Sequence, residues 1–126
     1  MIMQVVLMSF DLYVWHEPTP ITLDRALVVL ESLNNGDDTV VQADPRNLTL
    51  MSELLVGFPD PDDPDDDEVD DLVWSVSPDA NEHRLILSVG WSRADNFSRA
   101  VFALAQKHGL TCFDPQRDEV HNPSTR

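Results

Sequence analysis

One cysteine, one lysine and four glycines in 126 residues leave little from which the common small-domain chemistries are built. Cys112 has no second cysteine in the chain, so neither an internal disulfide nor a cysteine-rich zinc site can form. No P-loop, Rossmann glycine fingerprint, nucleophile elbow, zinc-protease helix motif or paired-cysteine motif occurs. The longest stretch free of charge is residues 1–10, about half of what a membrane-spanning helix needs. No basic residue opens that stretch, and Asp11, His16 and Glu17 follow it where a signal peptide needs small residues. Bases are scarce too: 8 stand against 23 acids, for a net charge of −15. Such a balance disfavours sequence-independent binding to nucleic acid or anionic membrane, which needs Lys and Arg to neutralise phosphates. These absences describe one soluble, acidic, cytoplasmic domain with no cofactor, long enough for a single core and too short for a multidomain enzyme.

The acids are concentrated. Asp60, Asp62, Asp63, Asp65, Asp66, Asp67, Glu68, Asp70 and Asp71 fall within twelve consecutive positions that hold no base. Without them the chain has 14 acids and 8 bases, a net charge of −6, so the acidity is local and not that of a chain adapted throughout to high salt. Pro59, Pro61 and Pro64 together with adjacent like charges oppose both helix and strand, which predicts a mobile, solvated loop over 59–71. Hard cations take several carboxylate oxygens, but counting from Asp63 puts Glu68 at the sixth loop position and Trp74 at the twelfth, where an EF-hand has Gly and Glu. A charged loop that confers solubility and a weak divalent-cation site both fit this segment.

Alternation from Val5 to Trp15 predicts a strand with Val6, Met8, Phe10, Leu12 and Val14 on one face and Tyr13 and Trp15 on the other. Met8 followed by Ser9 also suits a translation start, and the strand survives either choice. Thr22 is placed to cap a helix to about Asn34, with Leu23, Ala26, Leu27, Leu30 and Leu33 on its core face and Asn35-Gly36 as its stop. A shorter helix is expected from about Pro45 to Val56 through Leu48, Met51, Leu54 and Leu55. Leu72–Val76 and Arg84–Trp91 read as a hairpin. A helix capped by Asp95 or Asn96 follows to His108, with Gly109 ending it, then a strand over Leu110–Phe113 and a polar tail from 115 to 126.

Strand, helix, helix, strand, strand, helix, strand contains the two split βαβ units of a ferredoxin-like α+β sandwich with one short helix inserted. On this reading the first and last helices cover one face of an antiparallel sheet. The inserted helix then lies at an edge or across the other face, which is left open for docking.

Two segments, Met-Ser-Phe-Asp-Leu-Tyr-Val-Trp-His-Glu-Pro over 8–18 and Leu-Ala-Gln-Lys-His-Gly-Leu-Thr-Cys-Phe-Asp-Pro-Gln over 104–116, resemble a family of small uncharacterised bacterial α+β proteins. Those proteins open on a similar strand and close on a helix, a His-Gly-Leu turn and a strand ending in Asp-Pro-Gln. In size and charge the chain is also similar to immunity proteins of bacterial toxin systems, whose acidity serves to cover basic nuclease sites.

The proposed topology gathers the end of the first strand, the hairpin and the start of the last strand at one edge. That brings His16, His83 and His108 together with Glu17 and Glu82, the makings of a metal site or general base if the loops converge. Tryptophans serve as core or as interface anchors, and the parity of Tyr13 and Trp15 assigns them to the open face. Cys112, in a strand with no basic neighbour, reads as a small buried side chain. The leading expectation is a non-enzymatic binding domain that meets a basic protein partner through residues 60–71, Tyr13 and Trp15. The alternative is a small enzyme or metal-binding domain built on His16, His83 and His108.

Overall fold

A computed structural model describes residues 10–58 and 78–123. The acidic segment Asp60–Asp71 and the strand expected at Leu72–Val76 lie outside the described residues, as do residues 1–9 and 124–126.

Phe10–Trp15 forms strand β1, and all of it except Asp11 is buried. Helix α1 spans Leu23–Asn34 and starts where Thr22 accepts a hydrogen bond from the Arg25 amide at 3.3 Å, satisfying an otherwise orphaned donor. Gly36, with φ +82°, turns the chain away from it. Helix α2 follows at Arg46–Gly57, then strands β2, Asp79–Ala80, and β3, Arg84–Val89. Helix α3, Ala94–His108, ends at Gly109 in the left-handed conformation with φ +71°. Strands β4, Thr111–Asp114, and β5, Glu119–His121, are the last elements among the described residues.

The five strands form one antiparallel sheet in the order β2-β3-β1-β4-β5. Its first four strands have the ferredoxin-like order, with β5 added at the β4 edge. In the register of β1 and β3, Phe10 faces Val89, Leu12 faces Leu87 and Val14 faces Leu85. Those six side chains, with Cys112 of β4, form one face of the sheet, and it packs against Leu50, Met51 and Leu54 of α2 and Phe97, Val101 and Ala105 of α3. Each fully buried large apolar side chain there contributes roughly 1.5–3 kcal/mol.

The helices differ from expectation in which face they cover. It is α2, not α1, that lies beside α3. Helix α1 covers the opposite face, burying Ala26, Val29 and Leu33 against Tyr13, Trp15 and Phe113. No open face remains at Tyr13 and Trp15. The cause is in the strands: Tyr13, Trp15, Ile86, Phe113 and Val120 give the second face an apolar patch of its own, and a sheet with apolar surface on both sides needs a cover on both. The phase of α1 shifts accordingly, with Val29 inside while Leu23 and Leu27 are exposed. In α2, Leu50 takes the inner position and Leu48 is exposed.

Other differences are local. Helix α3 begins at Ala94, after a 3-10 turn over Trp91–Arg93, so Asp95 lies in its first turn and no side chain caps it. Trp91 leaves the strand and stands edge-on to Phe10, ring centroids 5.1 Å apart. The segment after Asp114, expected to be a tail, returns as β5 through a turn with Asp118 at φ +54°. Asp114 holds that turn: its buried carboxylate accepts from the Gln116 amide at 3.0 Å, from Gln116 Nε2 at 2.7 Å and from Arg117 Nη1 at 3.2 Å. The Gln116 side chain also accepts from the Asp11 amide at 2.7 Å and donates to the Asp11 carbonyl at 2.8 Å, pairing with β1 as a neighbouring strand would. The Asp-Pro-Gln run thereby joins the two ends of the fold.

Candidate functional site

Helix α2 begins where the end of β1, the β2–β3 turn and the end of α3 meet, and Arg46 joins them. Asp44 Oδ1 accepts from the Arg46 amide and from Arg46 Nε, both at 2.9 Å, and Oδ2 accepts from Nη2 at 2.8 Å. Arg46 Nη1 donates to the His108 carbonyl at 3.0 Å, satisfying a terminal carbonyl of α3. Nη2 also lies 3.1 Å from His16 Nδ1; since guanidinium only donates, this contact assigns the imidazole proton to Nε2. The Glu82 carbonyl accepts from the Asp44 amide at 2.8 Å and from Asn47 Nδ2 at 2.7 Å, tying the hairpin turn to the same point. Hydrogen bonding from Arg46 holds the Asp44 carboxyl down at about 2. Glu53 accepts from Lys107 Nζ at 3.1 Å, and its Oε1 lies 3.2 Å from His108 Nε2; those contacts lower its pKa as well.

The edge anticipated from topology therefore assembles around an arginine. His16 and His108 reach Arg46 through ring and carbonyl respectively, while the His83 amide donates to Asn81 Oδ1 within the hairpin turn at 2.7 Å. Among the described residues no group of three or more His, Cys, Asp and Glu side chains is placed to hold a metal ion, so His16, His83 and His108 do not make one. The positive charge of Arg46 at this junction also opposes the arrival of a second cation. Arg46 was not legible as its centre; the Asp44-Pro45-Arg46 run at a helix start is the signal that marks it.

Tyr13 and Trp15, expected on a docking face, are structural. Trp15 is fully buried, and its Nε1 donates to Glu17 Oε2 at 2.8 Å. Glu17 also takes Arg25 Nε at 3.0 Å, and Arg25 Nη2 reaches the Val40 carbonyl at 3.1 Å. The Tyr13 hydroxyl donates to Asn34 Oδ1 at 2.9 Å, and burial raises its pKa. Burial also pushes the Cys112 thiol far above its ordinary range, with Asp114 adding to the effect, so the thiolate needed of a nucleophile is not formed.

The carboxylates that hold the fold together do so by capturing its bases. Arg25 pairs with Glu17, Arg46 with Asp44, Arg84 with Asp38 and Asp79, Lys107 with Glu53, and Arg117 with Asp114. By contrast Asp24, Glu31, Glu82 and Asp118 are exposed, and no base among the described residues pairs with them. Outside residues 60–71 the chain still carries 14 acids against 8 bases. No helix among the described residues is long and apolar enough to cross a membrane. Comparison with protein-family models, curated proteins and solved structures found no match.

Proposed function

We propose that this chain is a non-enzymatic, acidic protein-binding domain that engages a basic protein partner, in the manner of the bacterial immunity proteins it is similar to in size and charge. The observation that carries this reading is the pairing of the bases: Arg25, Arg46, Arg84, Lys107 and Arg117 are each held by a carboxylate of the fold. Little positive charge is left to offset the exposed acids or the nine acids of residues 60–71. Such a field accelerates encounter with a cationic surface and repels phosphate. A cytoplasmic setting suits the single unpaired cysteine.

The test is affinity capture from a lysate of the native host at low salt, beside a chain in which the nine acids are changed to Asn, Gln or Ser. The expected result is a basic protein, released by high salt and retained far less by the neutralised chain. An acidic or neutral partner held equally by both chains contradicts it.

A further inference from the structure

Three of the exposed large apolar residues lie within six positions on α1: Leu23 at 37%, Leu27 at 42% and Val28 at 54% exposure. The helix buries Ala26, Val29 and Leu33 inward, so its outer face is fixed by the opposite spacing. Asp24, Leu27, Val28 and Glu31 stand at i, i+3, i+4 and i+7 and are all exposed. This is an apolar pair bracketed along the axis by two carboxylates. The one base on the helix, Arg25, does not offset them, because its guanidinium is held by Glu17 and the Val40 carbonyl.

We infer that the outer face of α1 is a docking surface for a basic amphipathic helix, whose apolar residues would cover Leu27 and Val28 while its Lys or Arg residues flank Asp24 and Glu31. The inference rests on the basic-partner reading above and adds to it where and in what form the partner is met. Charge complementarity selects the occupant. A second copy of the chain, packed antiparallel on the same face, would set Asp24 against Glu31 twice and be repelled. A helix of opposite charge turns the same two positions into attractions, and helix-on-helix recognition reads this i, i+3, i+4, i+7 pattern.

The probe is a synthetic amphipathic helix of leucine and lysine, titrated into the isotopically labelled full chain. Amide shifts are expected to concentrate on residues 23–31, and Leu27→Ser with Val28→Ser is expected to weaken binding by about tenfold without changing the thermal melt. Asp24→Asn with Glu31→Gln is expected to flatten the salt dependence. The chain with its nine acids neutralised should keep the shifts on α1. Absence of binding, shifts located elsewhere, or unchanged affinity in the Leu27/Val28 variant would overturn the inference, as would a wild-type dimer that this variant dissolves. If binding instead follows residues 60–71 alone, the α1 surface is wrong and the basic-partner reading stands.

Discussion

Arg46 grips Asp44 through two side-chain hydrogen bonds of 2.9 and 2.8 Å and, from that fixed position, reaches the His108 carbonyl at 3.0 Å. One local ion pair thus aims a guanidinium at the end of a helix 62 residues further along the chain.

Removing Arg46 should therefore act on both ends of that link. Arg46→Ala is expected to cost about 1 kcal/mol, kept small because the guanidinium is partly exposed, measured by urea unfolding at neutral pH. The acid limb should change as well. Asp44 has a lower pKa folded than unfolded, so its contribution is complete above about pH 4 and is lost as pH falls towards about 2. In Arg46→Ala this part of the acid-induced loss of stability should be shallower; an unaltered acid limb would show that the pair does not couple to folding.

Gly109 sits at the same junction. An added Cβ would meet Arg46 Nη1 at 3.0 Å and would stand on a backbone with φ +71°. Gly109→Ala is expected to destabilise by about 1–2 kcal/mol for the left-handed conformation alone. Part of any further cost should vanish in an Arg46→Ala background, which a double-mutant cycle measures.

Asp114 is fully buried and accepts hydrogen bonds from both Gln116 and Arg117. Asp114→Ala leaves those donors without their acceptor and is expected to cost about 3 kcal/mol in chemical denaturation. Gln116→Ala should cost less, and hydrogen exchange should show the Asp11 amide losing protection while the Leu12–Val14 amides keep theirs.

The two sides of α1 give a direct contrast. Val29 is fully buried and Val28 is 54% exposed. Val29→Ala is expected to cost about 2 kcal/mol, whereas Val28→Ala should change stability by less than about 0.5 kcal/mol. Equal effects at both positions would place α1 in a different orientation on the sheet.

Much of this fold was legible in sequence because period and caps agreed. Thr22, Asn35-Gly36 and Gly109 mark the ends of α1 and α3 where the backbone needs them. The inner face of α1 was harder to read, since residues 26–30 are apolar without a break and periodicity alone cannot orient such a run. The missing constraint lay in the strands, where Tyr13 and Trp15 share parity, and Ile86 and Phe113 make the second sheet face apolar too. Strand β5 was hidden because Glu119-Val120-His121 is short and mostly polar, and it exists through the Asp114 turn that precedes it. The site at the edge was anticipated as a meeting of loops but not as an arginine junction. Convergence follows from topology, whereas which side chain fills it depends on helix α2 taking the place expected of α1.

On the function proposed, acidic charge guides this domain to a basic partner. Stopped-flow association of the captured partner with the full chain, followed across ionic strength, tests it most directly. The rate should fall at least about tenfold between roughly 50 and 500 mM salt, and should be slower with a shallower salt dependence once the nine acids of residues 60–71 are neutralised. A rate indifferent to salt, or unchanged by that neutralisation, would contradict it.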